Sequence, residues 1–183
     1  PRRPVEELYD CQKDSQNLQN LADSPRHKKI LERMRKEHLG YALKIRDWGF
    51  VPEYEAWEMS KGSSGWQVGK SDRIEWQKII EAAEKVGRAK PAELIQNLKS
   101  ENDSIRYWGA IGLGAHMNQL TTPSISALKI ALEDSSPSVR IEAANALVRA
   151  GKSEPALSRL IEELDHKNLI VVTHAARTIE LLG

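Results

Sequence analysis

Covalent catalysis, metal binding and phosphate cradling each need particular side chains at fixed separations. Cysteine is the first nucleophile to look for, and the sequence holds one, Cys11, followed by Gln-Lys-Asp-Ser. A single thiol forms no internal disulfide and no cysteine-based zinc site, and it leaves the redox compartment unread. The five histidines, His27, His38, His116, His166 and His174, are scattered. They make neither a His-x-x-x-His pair nor a His-Glu-x-x-His motif. Gly112-Leu113-Gly114 has no strand pattern before it, which argues against a phosphate loop.

Three residues are left as a candidate interaction surface: Arg106, Trp108 and Arg140. The two arginines occupy matching positions of an internal repeat. They read as a ladder for an anionic ligand or, preferably, as partners of acidic loop residues such as Asp103 or Asp134. Trp108 reads as a recognition residue or, preferably, as packing against a preceding helix. His38 is expected to be a tethered packing residue, and the Lys28–Lys36 cluster a solvated helix face.

The elements that position these residues come from a template stated three times. Leu94, Leu98, Ile105, Gly109, Ala110 and Leu113 are followed by Leu128, Leu132, Val139, Ala143, Ala144 and Leu147. Then come Leu160, Leu164, Val171, Ala175, Ala176 and Ile179. The gaps within each set are identical, and the template shifts by 34 and then 32 residues. Such spacing marks stacked helical hairpins that cannot bury their apolar faces singly. The first two leucines lie one turn apart on a first helix. The β-branched residue, the small pair and the final Leu or Ile lie on a second, and the small pair permits close helix approach.

Ahead of the repeats, residues 6–9 read as a short extended segment and 10–15 as a polar turn. A helix is expected from Ser24–Pro25, with Leu31, Met34, His38, Tyr41 and Ile45 on its buried face and Gly49 as its stop. Lys61-Gly62-Ser63-Ser64-Gly65 reads as a linker. Asp72 is placed to cap a helix to about Val86. The expected organisation is therefore all-α: a leading segment over 1–58, a linker over 59–71, and an α-solenoid over 72–183. The solenoid would hold a capping helix at about 72–86 and repeats at about 91–120, 124–151 and 154–183.

The net charge of the 183 residues is +1, split as +3 over residues 1–90 and −2 over 91–183. Neither part has the positive field of a phosphate-backbone binder, so no nucleic acid is expected. No apolar run nears the roughly 20 residues of a membrane span, and the residues given are expected to hold no signal peptide. The opening Pro-Arg-Arg-Pro, without Met, reads as a piece of a longer protein.

The repeats resemble HEAT-like repeats in the short form of bilin-lyase-type proteins. Ser104-Ile105-Arg106 and Ser138-Val139-Arg140 look like that family's start of the second helix, and Asp134-Ser135-Ser136-Pro137 like its inter-helix turn. The third repeat departs, with Val172 in place of arginine. The leading segment is similar to the carboxy-terminal signature of type I sulfatases. The match runs through Glu7-Leu8-Tyr9-Asp10, Asp14 and Asn20-Leu21-Ala22. Arg46-Asp47-Trp48-Gly49-Phe50-Val51-Pro52-Glu53 is similar to the continuation in sulfatases with a HEAT-like extension. Departures are Cys11 (Leu expected), Ser15 (Pro expected) and Asn17 (Glu expected).

The resemblance implies the non-catalytic tail of a sulfuric ester or sulfamate hydrolase, with repeats serving interaction or stabilisation. The alternative is a stand-alone protein-binding scaffold. The Cys/Ser-x-Pro-x-Arg maturation site, the metal carboxylates and the sulfate-receiving Lys/His groups of that family are not assembled here. A divalent cation, calcium by resemblance, would belong to the parent enzyme. The implied partner is the missing catalytic domain or another protein, and the implied compartment is periplasmic or secreted. Cys11 would be a half-buried stand-in for leucine.

Overall fold

The structure is a computed structural model describing residues 4–71, 73–116 and 120–183. Among the described residues the regular elements are ten α-helices and two 3-10 turns, with no strand. Two compact units divide between Asp47 and Trp48.

The first unit is a coil followed by one helix. Residues 6–9 form no strand; they are tied to the turn by Asn20, whose Oδ1 accepts from the Leu8 and Ala22 amides at 2.9 and 3.0 Å. Its Nδ2 donates to the Glu6 carbonyl at 3.0 Å. The Asp14 carboxylate accepts from the Gln19 amide at 2.7 Å and the Leu18 amide at 3.1 Å, and these donors hold it below the usual carboxylate range. Asp10, Asp14 and Asn20 thus build the loop on which Leu8 is buried. Cys11 is exposed rather than half-buried, because the turn points it outward.

After a 3-10 turn at Pro25–His27, α1 runs Lys28–Ile45. Ser24 makes no capping bond to the backbone; its Oγ pairs with His27 Nδ1 at 2.9 Å. The helix stops at Arg46, which takes the left-handed conformation (φ 53°), three residues before the expected Gly49. Its buried residues are Leu31 and Ala42, whereas Met34, His38, Tyr41 and Ile45 are exposed. Helix α1 carries two apolar stripes, and the unit covers the one that includes Ala42.

The second unit begins with a 3-10 turn at Trp48–Phe50 and α2, Glu53–Met59. The expected linker holds α3, Gly65–Lys70, started by a capping box in which Ser64 and Gln67 satisfy each other's amides. Gly69 of α3 approaches Trp48 so closely that a Cβ would lie 2.8 Å from the indole nitrogen. This packing, together with the edge-to-face pair Trp48–Trp76 at 5.3 Å, draws residues 48–71 into the second unit. The expected boundary after residue 58 is thereby moved. Helix α4 spans Trp76–Glu84 and buries Ile79, Ile80 and Ala82, with Ile74 just ahead of it. The proposed cap, Asp72, lies outside the described residues.

Three hairpins follow: α5 (Pro91–Asn97) with α6 (Asp103–Ala115), α7 (Thr122–Ala131) with α8 (Pro137–Arg149), and α9 (Ser153–Glu163) with α10 (Leu169–Leu182). Each second helix is capped at the matching position. Asn102, Ser136 and Asn168 accept from the amides of Ile105, Val139 and Ile170 at 3.3, 3.2 and 2.9 Å. One apolar core runs through the hairpins, including Leu94, Leu113, Leu128, Val139, Leu147, Leu160 and Val171. Gly109 sits against the backbone of α5, where a Cβ would meet Leu94 O and Leu98 N at 3.0 Å. Ala143, Ala144 and Ala175 are fully buried, but Ala176 is exposed.

Candidate interaction surface

The residues singled out by spacing lie on second helices, Arg106 and Trp108 on α6 and Arg140 on α8. Arg106 Nε and Nη2 grip Asp134 at 2.7 and 2.8 Å, and Nη1 donates to the Ser100 and Glu101 carbonyls at 3.0 and 2.9 Å. Arg140 repeats this one hairpin on. Its Nε and Nη2 meet Glu163 at 2.5 and 3.0 Å, and Nη1 reaches the Asp134 and Ser135 carbonyls at 2.7 and 3.2 Å. Each arginine therefore closes the turn of its own hairpin and holds an acid of the next. Asp134 in turn holds the Arg106 guanidinium more firmly charged. Bidentate, nearly desolvated pairs of this kind fix geometry more than they add stability. At the third matching position stands Val172, so the ladder has two rungs.

Trp108 is also engaged within the chain. Its Nε1 donates to the Phe50 carbonyl at 2.8 Å, and its ring meets Tyr107 edge to face at 5.3 Å. At the position matching Trp108 in the next hairpins are Glu142 and His174, joined by a 2.9 Å contact between His174 Nε2 and Glu142 Oε1.

What spacing could not reveal is the role of Glu55. It lies on α2 and is 2% exposed. Ser136 Oγ donates to its Oε1 at 2.5 Å and Ser138 Oγ to its Oε2 at 2.7 Å. Ser136 Oγ also accepts the Val139 amide, so one hydroxyl caps α8 and binds the carboxyl. Desolvation raises the Glu55 pKa, and the two serine hydroxyls pull against that rise. Helix α2 thus lies across the start of α8, and Tyr54 beside Glu55 packs on the repeat core. The contact spans more than eighty positions of sequence. The only local signal is an acid set among Tyr54, Ala56 and Trp57.

Among the described residues no group of three His, Cys, Asp or Glu side chains is placed to hold a metal ion. Among them, too, no helix is long and apolar enough to cross a membrane. His116 Nε2 donates to the Ala89 carbonyl at 3.1 Å and thereby ties α6 to the segment before α5.

Stacked antiparallel hairpins with a continuous core define an α-solenoid. Residues 91–180 match the family model for HEAT repeats, and the three hairpins are HEAT-like. HEAT repeats commonly mediate contact between proteins. No curated protein and no solved structure matches the chain.

Proposed function

We propose that this chain is a non-catalytic contact module carried behind a sulfatase-like hydrolase, acting on sulfuric esters or sulfamates. The observation that carries the reading is the state of α1. Met34, Tyr41 and Ile45 are large apolar side chains on one face, and all three are exposed. Large apolar side chains exposed together on one helix face mark a surface meant to be covered, as the final helix of a sulfatase tail would be by the rest of its subdomain. The polar residues of the Glu7–Ala22 signature also have structural work in the turn, as expected of a tail motif kept for shape. In this reading the nucleophile, the sulfate-receiving groups and a divalent cation, calcium by resemblance, belong to the parent's catalytic domain. That domain is then the partner of α1.

The pure chain is expected to release no sulfate from an aryl sulfate or a sulfated glycan. Turnover abolished by a point substitution within residues 4–183 would overturn the proposal. Upstream coding sequence offers a second test: a Cys/Ser-x-Pro-x-Arg motif several hundred residues before Pro1 is expected. An initiator Met directly ahead of Pro1 would favour the stand-alone scaffold, a reading to which the self-contained core of residues 48–183 lends weight.

A further inference from the structure

The starts of α8 and α10 are matching places in the repeat, 32 residues apart, yet their surroundings differ. Ser136, Pro137 and Ser138 are all buried, with the Glu55 carboxyl of α2 bound to the two serines. Their counterparts are Asn168, Leu169 and Ile170, and here Leu169 is 77% exposed. The end of α2 runs alongside without closing over them, and a cleft of about 470 Å³ is left between the two segments. Trp57 and Lys61 line one wall and residues 166–170 the other. Tyr54 and His166 join the walls edge to face, with ring centroids 5.9 Å apart.

We propose that this cleft receives an acidic peptide segment bearing one bulky apolar side chain, supplied by a partner protein and laid in continuation of α2. Three observations carry the assignment. The cleft is continuous with the seat of α2, so the array already binds a short acidic, aromatic segment of its own one hairpin earlier. Two large apolar residues, Trp57 at 44% exposure and Leu169, flank the cavity and suit an apolar anchor. The charge balance of the rim is positive. Lys61 stands 4.2 Å over the Trp57 ring and answers Glu58, while Lys167 has no hydrogen bond or ion pair among the described residues. A cavity of this size suits a few side chains rather than a whole helix. The inference deepens the contact-module reading and does not depend on a hydrolase parent.

The test is an amide chemical-shift titration of the isotope-labelled 183-residue chain with the blocked peptide Asp-Glu-Leu-Phe-Asp-Glu. Its charge-reversed counterpart Lys-Lys-Leu-Phe-Lys-Lys serves as control. The acidic peptide is expected to shift the amides of residues 166–171 and the Trp57 indole. Lys167→Glu and Leu169→Ser, both at exposed positions, should each weaken it by about ten-fold or more without altering the spectrum elsewhere. No shift at those positions with millimolar acidic peptide would overturn the assignment, as would equal binding of the basic peptide. Shifts confined to another part of the array would overturn this site while leaving the contact-module reading intact. A sulfated disaccharide shifting the same amides where the acidic peptide does not would assign the cleft to a glycan and also overturn the proposal.

Discussion

At the residue scale, Arg140 and Glu163 show how a repeat tolerates a buried charge. Glu163 stands where the previous repeat has the buried Ala131, and it is itself buried. Arg140→Met removes its counter-charge and should destabilise the repeat unit by about 3–5 kcal/mol, whereas the double change with Glu163→Met should cost much less. Urea denaturation of the three proteins checks this, and equal losses in the single and double variants would contradict it. That arginines at this template position take acidic partners was legible, but which acid was not: Arg106 binds Asp134, an acid of the next hairpin's turn, and Arg140 binds Glu163. An acid in an alanine slot, as Glu163 is, has no signature until its partner is placed. Glu55 gives a pH test. Its folded pKa is raised, so the folded state binds this proton more tightly than the unfolded chain does. The resulting stabilisation is full below the ordinary carboxylate pKa and is lost as pH rises through the raised value. Glu55→Gln, measured against the unsubstituted protein between pH 4 and pH 7, should therefore gain relative stability as pH increases. A flat difference would show that the serine hydroxyls balance desolvation, and one of the opposite sign that they outweigh it.

At the element scale, close helix approach and two-sided burial make separate demands. Gly109→Val places side-chain atoms against the backbone of α5, which cannot yield as a flexible side chain would, and should cost roughly 1–3 kcal/mol. Leu132 is buried between hairpins and Leu164 only half-buried. Leu132→Ala should lose about 2–5 kcal/mol and Leu164→Ala less. Equal losses in a denaturation series would sink the picture of hairpins stacked on both sides of the middle one. The hairpins were legible because their apolar residues recur at fixed gaps. The buried face of α1 was not, since that helix has two apolar stripes and periodicity alone cannot say which is covered. The segment expected as a linker misled by its Gly and Ser content, which also supplies the Ser64–Gln67 capping box of α3.

At the scale of the whole molecule, the two units are unequally equipped to fold. Residues 48–183 contain nearly all of the buried apolar residues, whereas the first unit contributes Leu8, Leu31 and Ala42. A fragment of residues 48–183 should unfold cooperatively on its own, and a fragment of residues 1–47 should not. Circular dichroism melting of the two pieces separates these outcomes, and a cooperative melt of the short piece would contradict the account. The boundary between the units was not legible, because what assigns Trp48 to the second unit is its fit to Gly69 and Trp76, both far along the chain.

The arginine ladder gives the solenoid a direction. Helix α6 holds the turn ahead of α8, and α8 holds the end of α9, but Val172 on α10 holds nothing onward. The middle hairpin is thus restrained by a rung on each side and the third by one, while the outer side of α10 around Ala176 is open. In a nearest-neighbour array such differences become differences in local opening free energy. Amide hydrogen exchange should therefore be slowest in α8 and fastest in α10, so that the molecule breathes from its third hairpin inward.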